Sequence, residues 1–160
     1  MAKDTAHKPQ AAFSVQRAED SPGFLLWQVT QMWQRALNRV LKPLGLTHVQ
    51  FVLMASIAWL SRQAASKAIS QRALATHARQ DVMMTSVVLR SLEKKGYVVR
   101  NPSRTDSRAL AIELTQAGLS LVQKAIAAVE AQDAAFFETL GQENAHFRKM
   151  LLLLAQQTPG

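Results

Sequence analysis

The chain has 160 residues, enough for one ordinary domain that buries a core without staples. Hydrophobic residues make up 48% and charged residues 19%, the balance of a folded protein, and the absence of cysteine excludes disulfides, thiolate metal sites, a cysteine nucleophile and a thiol redox sensor. The formal net charge of +8 points to a polyanionic partner, while no apolar run reaches the ~18 residues of a membrane span.

Residues 1–20 are polar, contain Pro9 and lack the apolar core of a signal peptide; they are expected to form a flexible arm on a cytoplasmic protein. Ser21-Pro22 has the chemistry of a helix start, with Ser as cap and Pro at the first helical position. Two interleaved apolar series follow at helical spacing. One is Leu25, Val29, Met32, Ala36 and Val40; the other is Leu26, Trp33, Leu37, Leu41 and Leu44. A stripe this wide predicts a helix covered on more than one side, with Pro43 and Gly45 ending it.

Thr47-His48-Val49-Gln50 fits a capping box, and Phe51 to Leu60 is apolar almost all round, as a central helix should be. After a polar connector, Ser70 is placed to cap a short helix through Ala73, Leu74 and Ala75. A break near Ala78-Arg79-Gln80 leads to Asp81, the expected cap of a helix running to Lys95 and stopped by Gly96. Its apolar face reads Val82, Thr85, Val88, Leu89 and Leu92. That leaves Met83, Met84, Ser86, Val87, Arg90, Ser91 and Lys94 to face outward.

The period then changes. Tyr97 to Arg100 and Ala109 to Leu114 read as strands of a hairpin, with a tip rich in turn formers that carries Arg104, Asp106 and Arg108. Thr115 is the expected cap of a long helix whose buried side reads Leu119, Val122, Ile126, Val129, Phe136 and Leu140, broken by Gly141. A last helix is expected to bury Phe147, Met150, Leu151 and Leu154.

Two short helices joined by a tight turn and followed by a hairpin make a winged helix-turn-helix. The charge supports that reading. Residues 62–108 carry ten Lys/Arg against three acids, whereas residues 109–160 carry three against five. A helix of this width fits the DNA major groove, and the arginines of the hairpin tip could reach phosphates or the minor groove.

Leu92-Glu93-Lys94-Lys95-Gly96-Tyr97-Val98-Val99-Arg100, then Asp106-Ser107-Arg108, then Leu110-Ala111-Ile112-Glu113-Leu114-Thr115 with Gly118 three further on, resemble the recognition-helix end and wing signature of MarR-type transcriptional regulators. Gly45-Leu46-Thr47 through Leu53 and Ala73-Leu74-Ala75 resemble earlier elements of the same family, and the likeness runs over about residues 22–157. The resemblance implies a mainly helical fold with a small β-hairpin wing. It also implies a homodimeric repressor or activator joined through terminal helices, a pseudo-palindromic double-stranded DNA operator, and in many members a small aromatic or amphipathic ligand; the expectation is a repressor that such a ligand releases. Arg108 would work at the wing, with Asp106 orienting it. Ser86-Val87 where the family often has Ser/Thr-Arg, a basic Arg90 and the Met83-Met84 pair depart from the pattern, which bears on base preference rather than binding mode.

The expected organisation is an arm (1–20), a dimerisation region (21–45 and 115–157) and a winged lobe (46–114). An effector pocket is expected among Trp27, Trp33, His48, Phe51 and Met54. His7, His48, His77 and His146 lack metal-ligand spacing, and there is no phosphate loop, nucleophile elbow or acid–base pair. Neither an enzyme nor a cofactor is expected. The alternative reading is a basic architectural nucleic-acid-binding or protein-interaction module without effector control.

Overall fold

The computed structural model describes residues 14–63, 68–102 and 110–157. The chain divides into two compact units, residues 1–33 and 34–160. In the first unit, Ser21 Oγ accepts the Phe24 backbone N–H at 3.4 Å and Pro22 opens helix α1 (Pro22–Leu41). The side chains of Phe24, Leu25, Leu26, Trp27, Val29 and Met32 are exposed, and the Phe24 and Trp27 rings stack.

The second unit takes the end of α1, where Leu37 and Leu41 are buried, and then turns at Gly45, whose φ of 68° is left-handed. Helix α2 (His48–Gln63) begins with the reciprocal capping box: Gln50 N–H donates to Thr47 Oγ1 at 3.2 Å, and Thr47 N–H to Gln50 Oε1 at 3.1 Å. Leu53, Met54 and Ile57 place α2 in the middle of the core. Helices α3 (Gln71–Ala78) and α4 (Val82–Lys94) pack on α2 and on each other. Strands β1 (Val98–Pro102) and β2 (Leu110–Leu114) pair antiparallel, Val98 opposite Leu114 and Arg100 opposite Ile112. The Ile69 carbonyl accepts the Ile112 N–H at 2.9 Å, so the segment before α3 borders β2.

Helix α5 (Gln116–Phe137) is capped by Thr115, whose Oγ1 accepts the Gly118 N–H at 3.0 Å. Its buried side agrees with the expected one at Val122 and Val129 and departs from it elsewhere. Gly118, Val122, Ala125 and Val129 face the core, while Leu119 is exposed and Ile126, Phe136 and Leu140 are half-buried. At the start of the helix the approach is close enough to require glycine: a Cβ on Gly118 would lie 2.0 Å from the Tyr97 carbonyl oxygen.

A bend at Gly141 (φ 48°) leads to helix α6 (Asn144–Ala155). The expectation that α6 buries Phe147, Met150, Leu151 and Leu154 is not met within one chain. Phe147 and Met150 are half-buried, Phe147 against Phe137 at 5.8 Å between ring centroids, and Leu151 to Leu154 are all exposed. No single helix among the described residues is long and apolar enough to cross a membrane.

Candidate nucleic-acid interface

The helix-turn-helix is assembled by local hydrogen bonds that the sequence dictates. Ser70 Oγ accepts the Ala73 N–H at 3.1 Å, and Asp81 Oδ1 accepts the Met84 N–H at 2.9 Å, so both helices start on a side-chain cap. Between them the chain reverses at Arg79, a non-glycine residue at φ 49°. The Gln80 N–H closes the turn on the Ala75 carbonyl at 2.9 Å.

Helix α4 is held by Thr85, Leu89 and Leu92, each no more than 1% exposed. Thr85 Oγ1 donates to the Asp81 carbonyl at 2.8 Å, which satisfies its hydroxyl inside the core. The opposite side presents Met83 (73% exposed), Met84, Val87, Arg90 and Lys94, with Ser86 half-buried at the edge. Val82 and Ser91 depart from the expected faces, and Val88 is only half-buried. Val82, assigned to the apolar face, is exposed because it sits in the first turn, before α4 reaches the core. Ser91, assigned outward, is half-buried, and its Oγ accepts from Gln50 Nε2 at 3.1 Å.

The C-terminal end of α4 is fastened to its neighbours. Lys95 Nζ donates to the Gly45 carbonyl at 2.9 Å and to Gln50 Oε1 at 3.1 Å, and Gly96 at φ 73° ends the helix. Glu93 receives a two-pronged hydrogen bond from Arg100, Nε at 2.8 Å and Nη2 to the second oxygen, tying α4 to the first wing strand. This fork raises the Arg100 pKa above its ordinary value, so that arginine is engaged within the protein. Thr115 closes the corner: its N–H donates to the Tyr97 carbonyl at 3.0 Å and its hydroxyl to the Gly96 carbonyl at 2.7 Å. The wing-tip residues Arg104, Asp106 and Arg108 lie outside the described residues.

Of the residues expected to line an effector pocket, Trp27 is exposed and Trp33 half-buried, whereas Phe51 and Met54 are buried in the core of the second unit. His48 is half-buried; loss of hydration lowers its pKa, and the Asp133 carboxylate partly opposes the shift. Helical periodicity did not reveal a cavity of about 540 Å³ between α2, β2 and α5, bordered by Ala55, Trp59, Arg62, Leu119 and Gln123. The Gln50–Ser91–Lys95 cluster was also missed. Its signal was present in the Thr47–Gln50 capping box and the four-residue spacing of Ser91 and Lys95, but a capping box does not say what lies beyond its own turn.

A MarR family model matches residues 46–110, which include α2, α3, α4 and β1. The uncharacterised HTH-type transcriptional regulator YdcH of Bacillus subtilis is 44% identical over 117 residues, covering 73% of this chain and 78% of that protein. The chain belongs to the MarR family. It is therefore a DNA-binding transcriptional regulator of the winged helix-turn-helix class rather than an enzyme. The HTH-type transcriptional repressor Rv2887 of Mycobacterium tuberculosis is 34% identical over 136 residues, covering 84% of this chain and 94% of that protein. The Rv2887 structure in complex with DNA superposes with a TM-score of 0.64 at 30% identity, covering 84% of this chain and 97% of that one. CouR from Rhodococcus jostii bound to p-coumaroyl-CoA gives a TM-score of 0.77 at 27% identity, covering 91% and 99%.

Proposed function

We propose that this MarR-family protein is a dimeric repressor. Each protomer inserts α4 into the major groove of one half of a pseudo-palindromic operator, and a small aromatic or amphipathic ligand releases it. The observation that carries the reading is the division of α4 into a locked side and a presented side. Leu89, Leu92 and Ser91 are held by the core and Gln50, while Met83, Met84, Val87, Arg90 and Lys94 are open. Arg90 and Ser86 suit base edges, and the methionines and Val87 suit thymine methyls. Arg104 and Arg108 on the wing would contact the backbone or minor groove, with Asp106 orienting Arg108.

Dimerisation is supported by two apolar surfaces that a single chain leaves open, the first turns of α1 and the Leu151–Leu154 face of α6. Two protomers would place their α4 helices about 34 Å apart, one helical turn of DNA. On this reading residues 21–45 and 115–157 supply the dimer contacts and 46–114 the DNA-binding lobe. Repression is supported by the likeness to Rv2887, and an aromatic effector by the likeness to CouR with its bound p-coumaroyl-CoA. Half-buried His48 is the titratable group among the residues expected to line the effector pocket.

Selection of bound duplexes from a random-sequence library, followed by gel shift with and without aromatic acids and their thioesters, tests the whole reading. A symmetric selected motif released by one of the compounds is the expected result. A protein that binds all duplexes alike would be architectural, and the repressor reading would fall.

A further inference from the structure

Gln50 lies in the first turn of α2, is 7% exposed, and points away from the presented side of α4. Its side-chain amide nonetheless joins three segments. Oε1 accepts from the Thr47 N–H and from Lys95 Nζ, each at 3.1 Å, and Nε2 donates to Ser91 Oγ at 3.1 Å. Lys95 Nζ reaches on to the Gly45 carbonyl at 2.9 Å. The corner between α1 and α2, the start of α2 and the last turn of α4 therefore meet on one buried amide.

Ser91 and Lys95 are four residues apart, on one face of the chain as it leaves α4, so the amide grips that helix at two points one turn apart. The apolar contacts of Leu89 and Leu92 hold α4 against the core but are non-directional, and the Glu93–Arg100 fork ties its last turn only to the first wing strand. The bonds to Gln50 are the directional ones that set its roll against α2. A roll of about 25° would carry a side-chain tip some 5–6 Å from the helix axis through roughly 2–3 Å. That is enough to move a base-edge contact out of hydrogen-bonding range, while a flexible lysine could still find a phosphate.

We propose that Gln50 is a specificity-determining positioning residue: without touching DNA, it fixes the roll of α4 and thereby the discrimination between operator and other sequences. The proposal rests on α4 being the groove helix, as argued above. Gln50→Met keeps the length and removes both polar groups. Gln50→Glu keeps the acceptor for Thr47 and Lys95, and Ser91 can turn its hydroxyl round to donate to the carboxylate.

The test measures affinity for a duplex selected by the wild-type protein and for a scrambled duplex of the same composition, at two salt concentrations. Gln50→Met is expected to lose about tenfold in operator affinity, the scale of one lost net hydrogen bond. Its affinity for scrambled DNA should stay within about twofold and its salt slope should not change, because phosphate contacts are untouched. Gln50→Glu is expected to restore most of the discrimination. Parallel weakening on both duplexes, or a Glu variant no better than Met, would reduce Gln50 to a structural residue and overturn the proposal. Should Gln50→Met fail to fold, Ser91→Ala carries the test, with loss of discrimination expected and its retention overturning the proposal. A wild-type protein that discriminates no duplex from its scramble overturns the groove reading itself, and the role of Gln50 with it.

Discussion

Helices α2 and α6 are similarly rich in large apolar residues, yet one chain treats them in opposite ways. Leu53, Met54 and Ile57 of α2 have no exposed surface, whereas Leu152, Leu153 and Leu154 of α6 are each more than half exposed. The α2 region is also tied by directional bonds, from the Thr47–Gln50 box to Ser91 and Lys95, while α6 has no side-chain cap at its start. The difference teaches that the core holding α4 is completed within one chain. The terminal helix carries apolar side chains that the described residues leave exposed, which is where the proposed dimer would cover it.

The largest effect should come from breaking the incomplete region. If the proposed dimer forms through α6, replacing Leu151 and Leu154 together by Asp should give a folded monomer and weaken operator binding by roughly a hundredfold or more, because the second half-site contact is no longer intramolecular. Light scattering, circular dichroism and gel shift on the same preparation would show it. An unchanged dimer would mean that the leucines of α6 are not the contact.

The complete region should instead break by losing stability. Gly118→Ala places a methyl group against the Tyr97 carbonyl, which cannot be relieved by a side-chain rotation, and should cost about 1–3 kcal/mol in urea unfolding. Association should survive at concentrations where the variant is folded. Wild-type stability would show that the corner of β1 and α5 yields more easily than its geometry indicates.

The residues proposed to contact DNA should separate specific from general binding. Arg90→Ala is expected to cost roughly 1–3 kcal/mol on the operator and less on random DNA. Arg108→Ala should weaken binding to all sequences and flatten the salt slope by about one unit, with Asp106→Ala acting the same way more weakly. Equal behaviour of Arg108→Ala and wild type on both duplexes would remove the wing from the interface.

The smallest effect concerns His48. Its pKa is lowered in the folded protein by burial, so the unfolded chain binds the proton more readily. Its stabilising contribution is therefore present above the unfolded value near 6.5 and is lost as the pH falls through the folded value. His48→Asn should remove a small part of the acid-side decline in Tm and leave the plateau above pH 7 unchanged. A decline identical to wild type would place the titration elsewhere.

Much of the winged architecture was legible because it is written in local chemistry. Ser70, Asp81 and Thr115 each cap the helix expected of them, and Gly96 ends α4 in the left-handed conformation. The helix-turn-helix break at Arg79 fell where the apolar period lapsed, although the residue that reverses the chain is not glycine. Side-chain faces were less legible. Ser91 was read outward by its position on the wheel, and only the approach of Gln50 from another helix turned it into an internal contact.

Sequence alone determined what depends on neighbours within a few residues: caps, turns, the change from helical to strand period, and a basic middle segment set against an acidic end. Periodicity gives the relative phase of side chains around a helix but not the absolute direction of the core. The tertiary structure decided that direction. Gly118 packs against the Tyr97 carbonyl, and α5 buries Gly118 and Ala125 beside the expected Val122 and Val129, with Ile126 half-buried and Leu119 exposed. It also decided which apolar side chains are covered, because burial requires a partner surface, and α6 carries its leucines where the described residues supply none.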